Sequence, residues 1–384
     1  PQIGFLQEAL RWWDRWLKDL PTGVEEDPAC RIYLMDGVRP ASWYDNRPGR
    51  WIAEPCWPSP NIVSKTLALG PGCLGQGGDF CTTLASPQDC GMDGGEFCAI
   101  WLGPEMPGDQ RRDDAFSACF DSAVMEEADI VGAPVLTLRL SSDRPLAQIA
   151  VRLNHIHPDG AATRITWGVL NLAHRASAAE PEPLVPGQVY EVRVALDHIA
   201  YRLPAGHRLR LAVSSNYWPM LWPMPEQATL TLVGGQLDLP LRQTRAEGDE
   251  VTFPPAEGAK PLELREIRPE SHVRRTEIDQ RSGLVSLIIE DDFGEYENGD
   301  HGGIAGSVAR ERWDIHPDDP LSARGHAHWT EVIERGGIRL RTEARCEMWS
   351  DATNFHLQAR IEAWEGENLT YARNQQVTVP RDHR

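Results

Sequence analysis

The run from Val131 to Val213 constrains the fold more than any other stretch. Val135, Leu136, Leu138 and Leu140 are followed by Ile149, Val151 and Leu153, and then by Ile165, Trp167 and Val169. Tyr190, Val192, Val194 and Leu196 come next, and Leu209, Leu211 and Val213 close the series. Most of these residues fall at every second position. A strand sends successive side chains to opposite faces, so apolar residues spaced by two mark a strand with one buried face. Pro158-Asp159-Gly160 turns the chain between two such sets, because Gly adopts left-handed backbone angles freely and Asp tolerates them. Five short strands with no helix-length run between them read as an all-β antiparallel sandwich.

One helix precedes it. In Gly4–Leu20, Phe5, Leu6, Ala9, Leu10, Trp12, Trp13, Trp16, Leu17 and Leu20 recur at three- and four-residue spacing, and Pro21 ends the run. Burying side chains of this size is worth roughly 2–3 kcal/mol each. Such a stripe requires a large apolar partner. Residues 21–60 are a Pro- and Trp-rich connector with a strand expected at Arg31–Met35. Residues 70–95 read as loop. The glycine-rich GPGCLGQGG within them lacks the GK[ST] ending of a phosphate cradle.

A polar, Pro-rich linker at 243–261 leads to a second β-rich unit. Strands are expected there at His272–Ile278, Leu284–Glu290, Val308–Ile315, Ala323–Ile333, Ile338–Trp349, Asn354–Trp364 and Thr370–Val379. Alternation at Ile338, Leu340 and Thr342, and at Phe355, Leu357, Ala359 and Ile361, suits an antiparallel meander with one wet face. The domain boundaries implied are 1–20, 21–245 and 262–384.

A formal charge of −19 argues against a nucleic-acid partner, whose phosphates need a basic surface, and against anionic membranes. No apolar run approaches the ~20 residues of a membrane span. The eight cysteines lack a small-scaffold disulfide pattern, so free and mostly buried thiols in a cytoplasmic protein are expected.

Several stretches carry a family resemblance. PDG before GVLNL, then GQVYEVRVAL, then PAGHRLRLAVSS followed by WP repeats resemble the C-terminal β domain of the cocaine-esterase/X-Pro dipeptidyl-peptidase (CocE/NonD) serine hydrolases. The likeness runs from Gly4 to about Pro240. It implies a jelly-roll domain of the galactose-binding-like kind, normally attached to an α/β-hydrolase domain. Residues 1–20 would then be the last helix of that catalytic domain, whose remainder would precede Pro1. A hydrolase domain packing on Trp12, Trp13 and Trp16 is the implied partner, and self-association is a further implied role. The segment Gly94–Arg111 resembles in spacing one that helps wall the acyl pocket, with Phe97, Cys98 and Ala99 in the wall positions. Those three differ in size and shape from the usual aliphatic and aromatic pair. The alternative to a wall is a loop buried within its own domain.

The family's chemistry is Ser–Asp–His acyl transfer from a G-x-S-x-G turn. No serine in this sequence has glycine two residues before it, so no catalytic residue can be assigned and the chain alone should be inert. The parent activity implied is ester or amide hydrolysis, with X-Pro dipeptide release as one form.

Other candidates are weaker. His155-x-His157 and His326-x-His328 each put two imidazoles on one face of a strand, but a metal site needs three or four ligands and no third is identifiable nearby in sequence. No metal and no cofactor are therefore expected. His207 reads as a turn-stabilising residue. Asp291, Asp292, Glu295, Glu297 and Asp300 read as a solvated turn without calcium-loop spacing. Asp113 with Asp114, and Glu126 with Glu127, read as adjacent acids that point apart. A free-standing carbohydrate-binding module is the competing function, with Trp218, Trp222 and Asn216 as its candidate residues.

Overall fold

The computed structural model describes residues 3–100, 103–243 and 249–383. The period-two pattern yields the strands Val135–Ser142, Gln148–Ile156, Ala162–Asn171, Tyr190–Ala195 and Arg208–Ser214. A sixth strand, Ile199–Leu203, is not foreseen by the spacing. Its Ala200, Tyr201 and Leu203 are all buried, and consecutive burial erases a period of two.

Two sheets face each other. In one, Leu230–Arg242 pairs antiparallel with Val135–Ser142 and with Ile62–Gly70. Ala128–Gly132, Ile199–Leu203, Cys30–Asp36 and Gly49–Glu54 carry that sheet outward. In the other, Gln148–Ile156 lies between Ala162–Asn171 and Arg208–Ser214, with Ala118–Ser122 beyond. Leu136, Leu138 and Leu140 from the first sheet meet Ile149, Val151, Leu153, Leu209 and Leu211 from the second in one core. The architecture is the expected all-β sandwich.

All nine residues of Gln148–Ile156 are buried. Alternation places Ile149, Val151 and Leu153 on the core face. The opposite face, carrying Arg152 and Asn154, is covered by residues 110–117. Arg152 lies 3.2 Å from Asp114 and 3.7 Å from Asp113, and donates to Gln110 Oε1 and Ser117 Oγ. The two acids were expected to point apart. They fall instead in the short helix Arg111–Ala115 and reach the same guanidinium. Burial holds both carboxyls above their ordinary range, against the pull of Arg152. Burial also opposes the charge on Arg152, but Tyr217, Asp114 and Asp113 outweigh it and raise its pKa.

A separate sheet, outside the sandwich, is an antiparallel meander running from Leu264–Arg268 to Asn368–Pro380. All seven strands expected there form, and Leu264–Arg268 adds an eighth. One face is a ladder of charge, where Arg312, Arg341, Arg345 and Arg360, three of them exposed, pair with the buried Asp314, Glu343 and Glu362. On the other face, Val285, Leu287, Ile289 and Ile315 form a second core with Met92 and Trp218 of the sandwich. Polar latches reinforce that seam: Trp222 Nε1 donates to Ser350 Oγ at 3.0 Å and Asn171 Nδ2 to the His383 carbonyl at 2.9 Å.

The acidic stretch is not a turn. Asp291, Asp292, Glu295 and Glu297 lie in the strand Val285–Asn298 and pair with His272, Arg268, Arg339 and Arg265. Only Asp300 stays in the turn that follows. The eight cysteines are all free, as expected, but only Cys90 is buried and four are exposed, because most sit in loops and at strand ends. Burial pushes the Cys90 thiol up to about 12. Among the described residues no helix is long and apolar enough to cross a membrane.

Arg152→Ala leaves buried Asp113 without its ion pair and Asp114 with Arg210 as its remaining cation, and should cost about 3–5 kcal/mol at neutral pH. The folded pKa values of the two carboxyls lie above the unfolded ones, so stability is retained below the unfolded value near ~4 and lost as pH rises through the folded values. Denaturant unfolding of the variant at pH ~7 and pH ~4.5 should therefore show the smaller deficit at the lower pH. Equal deficits would assign the cost to packing instead.

Candidate functional site: a bare apolar helix and a clamped aromatic loop

The N-terminal helix is observed at Phe5–Lys18, with Asp19 in the left-handed conformation closing it. Its attachment is the reverse of an ordinary surface helix. The polar side faces the body of the protein: Arg11 pairs with Asp27, Arg15 with Glu25, and Glu8 with Arg31 at 2.8 Å. The apolar side faces outward, and no residue of the helix is buried. Trp12, Trp13 and Trp16 are 50%, 55% and 50% exposed, and Phe5, Leu6, Leu10 and Leu17 are exposed still further. Monomeric proteins seldom present a contiguous apolar patch of this kind unless something docks there.

The second element is the loop around Phe97. Its stem is fixed from both sides. Glu96 N donates to the Glu105 carbonyl at 2.8 Å, and Ile100 N to Glu105 Oε2 at 2.6 Å. Arg274 reaches over from the meander and donates to Glu96 Oε1 at 2.6 Å and to the Gly95 carbonyl at 2.8 Å. Gly95, at a φ of +72°, lies so close to Glu105 and Pro107 that a Cβ would collide with backbone. Above this stem Phe97 is 81% exposed, Cys98 is exposed and Ala99 is partly so. The loop is thus not packed inside its own domain. Its next two residues, Trp101 and Leu102, lie outside the described set.

Phe97 stands edge-on to Trp167 at 6.4 Å. Trp167 in turn lines a cleft of about 440 Å³ with Tyr33, Trp43, Tyr44, Arg47 and Glu105. From Tyr33, contacts continue through Trp51 and Phe253 to Arg31, which holds the helix through Glu8. An aromatic run thus leads from the cleft beside the loop to the arginine that ion-pairs with the polar side of the helix.

Two of the three carbohydrate candidates are not available to a ligand, while Trp222 is half-buried and lines a cavity of about 500 Å³. Trp218 is fully buried in the seam between the sheets, Asn216 is buried against Gln88, and Trp222 packs on the same seam. Pro-flanked tryptophans serve here as core corners. His326 and His328 face Glu347 and Glu343, and no third ligand joins them among the described residues. The other pair behaves differently. His207, expected to stabilise a turn, instead brings its Nδ1 to 2.6 Å from His155 Nε2, making a trio with His157. Spacing could not show this, because His207 lies about fifty residues away and arrives through pairing of Arg208–Ser214 with Gln148–Ile156.

Comparison with known proteins assigns the sandwich. The model of the X-Pro dipeptidyl-peptidase C-terminal non-catalytic domain matches residues 22–252, more than half of the chain. The chain belongs to that family. The cocaine esterase of Rhodococcus sp. (strain MB1 Bresler) is 23% identical over 237 residues, covering 56% of this chain and 39% of the relative. A putative serine esterase of Mycobacterium bovis is 23% identical over 233 residues, covering 54% of this chain and 35% of the relative. The chain thus spans less than two fifths of the length of these curated relatives. Among solved structures, an aminopeptidase from a marine-sediment Thaumarchaeota archaeon superposes with a TM-score of 0.49 at 17% identity, over 61% of this chain and 44% of that one. A CocE/NonD family hydrolase from Staphylococcus aureus gives 0.46 at 14%, over 62% and 45%. The matched region corresponds to the non-catalytic C-terminal part of CocE/NonD hydrolases.

Because the helix tryptophans touch little of this chain, Trp12→Ser, Trp13→Ser and Trp16→Ser should each change unfolding free energy by under ~1 kcal/mol, whereas Trp218→Ala should cost about 3–5. Denaturant titration of the four variants checks the contrast. A large loss at Trp12 or Trp16 would mean that the stripe is covered from within.

Proposed function

We propose that this chain is the accessory, non-catalytic portion of a CocE/NonD serine hydrolase and sits against an α/β-hydrolase catalytic domain. One observation carries the reading: a helix whose charged side is tied to its own body while its tryptophan side is bare. An amphipathic helix in that orientation suits a second apolar surface on its outer side. Residues 1–20 act as the docking element, 21–245 as the capping sandwich and 262–384 as a buttress for the Phe97 loop. Phe97, Cys98 and Ala99 contribute a wall of the acyl pocket and narrow its entrance. The clamp by Arg274 supports this role, because a wall residue must be held still to discriminate substrates. The assembled activity is hydrolysis of esters or amides, including release of X-Pro dipeptides.

The purified 384-residue chain should not turn over a p-nitrophenyl ester above the buffer rate. Co-expressed with a CocE/NonD catalytic domain that lacks its own C-terminal region, it should co-purify and restore turnover. Phe97→Ala should then lower kcat/KM by roughly 10-fold or more for bulky acyl groups, the worth of a lost apolar pocket contact. Arg274→Ala should act in the same direction by loosening the loop. Robust ester hydrolysis by the chain alone would sink the reading, as would co-purification that survives replacement of all three helix tryptophans by serine.

A further inference from the structure

We propose that His155, His157 and His207 form a binding site for a transition-metal dication, with zinc the best match. The trio adjoins the cleft described above, whose lining includes the Tyr201 and Thr163 that contact its imidazoles. His155 continues the core-facing side of Gln148–Ile156, with His157 just beyond, and His207 stands beside Leu209, the residue paired with His155 on the neighbouring strand. One ligand atom from each imidazole lies within 4.8 Å of the others.

The surroundings are those of an oriented donor set. Tyr201 Oη lies 2.7 Å from His155 Nδ1, and Thr163 Oγ1 lies 3.0 Å from His157 Nε2. The Thr163 hydroxyl donates to the Val38 carbonyl at 2.8 Å, so it accepts from His157 Nε2–H. That tautomer leaves His157 Nδ1 as a bare lone pair. Ligating histidines are typically held in this way, with the outer nitrogen engaged and the inner one free. Gly37 closes one side: a Cβ there would come within 3.0 Å of His155 Cε1 and 2.8 Å of Pro204. His155 and His157 are buried, while the half-buried His207 leaves a path to solvent.

Three imidazoles and no carboxylate suit zinc, copper or nickel and disfavour magnesium and calcium. Tetrahedral Zn–N bonds of ~2.0–2.1 Å place the nitrogens about 3.3 Å apart. The His155–His207 pair, now at 2.6 Å and sharing a proton, must open slightly, and that proton passes to the outer nitrogen of the ring that holds it, so that both ligate as neutral imidazoles. The stacked His157 ring, 3.9 Å from His155, must tilt toward it. The fourth position falls to water or hydroxide.

The full chain, stripped with chelator and dialysed against Zn²⁺ alone, should retain one metal per chain. Co²⁺ alone should give the visible absorption of a low-coordinate nitrogen site. Zinc should raise the Tm. His207→Ala should weaken Zn²⁺ by at least about 100-fold and Thr163→Val by roughly 10–100-fold, the range seen on losing a supporting contact. The double variant His326→Ala/His328→Ala should bind like the parent. Equal Tm values in chelator certify that the variants fold, and Thr163→Val carries the test if His207→Ala does not. Metal content below ~0.1 per chain would overturn the proposal, as would an affinity unmoved by the Thr163 and His207 changes or abolished by the His326/His328 pair.

Discussion

The strand Gln148–Ile156 is covered on both faces, and much else depends on that constraint. A strand at the centre of a sandwich normally leaves one face to solvent. Here the outer face carries Arg152, which cannot remain charged in the interior without partners. Asp113, Asp114, Gln110 and Ser117 supply them. The consequence is architectural. The segment bearing these groups is bound down across the sheet, and the Phe97 loop that precedes it is thereby anchored at its C-terminal end.

The other anchor comes from the separate sheet. That meander has a charged face and an apolar face, and it buries the apolar side where Trp218 and Met92 of the sandwich meet Val285, Leu287 and Ile315. Docking there brings Arg274 to Glu96 and to the Gly95 carbonyl. Burial lowers the Arg274 pKa and raises that of Glu96, so each charge depends on the other for its place. Two sheets far apart in sequence thus hold one short loop, with the aromatic ring of Phe97 projecting from a rigid stem. A flexible loop would lose the ordering entropy again at every encounter; a preorganised one has already met that cost in folding.

The helix at Phe5–Lys18 follows a different logic. Its ion pairs are mostly half-exposed and individually weak, yet several together fix which side turns outward. Half-exposed tryptophans bring little stability to the fold as it stands. Their presence is intelligible only through what they can cover, which is why the exposed stripe and not the ion pairs leads to the proposed hydrolase partner.

Local alternation made the strands legible. Sequence by itself determined the all-β class, the helix with its stop before Pro21, the seven expected strands of the meander and the absence of a G-x-S-x-G elbow, because each depends on neighbours two to four residues apart. It also singled out the Phe97 segment by resemblance. Tertiary structure alone decided that Trp218 and Asn216 are interior, that four of the five acids from Asp291 to Asp300 are strand residues paired with His272 and arginines, and that Asp113 and Asp114 converge on Arg152. It alone brought His207 to His155. Each of these rests on residues brought together by strand pairing and sheet packing over long chain separations, where periodicity carries no information about which side chain will be opposite which.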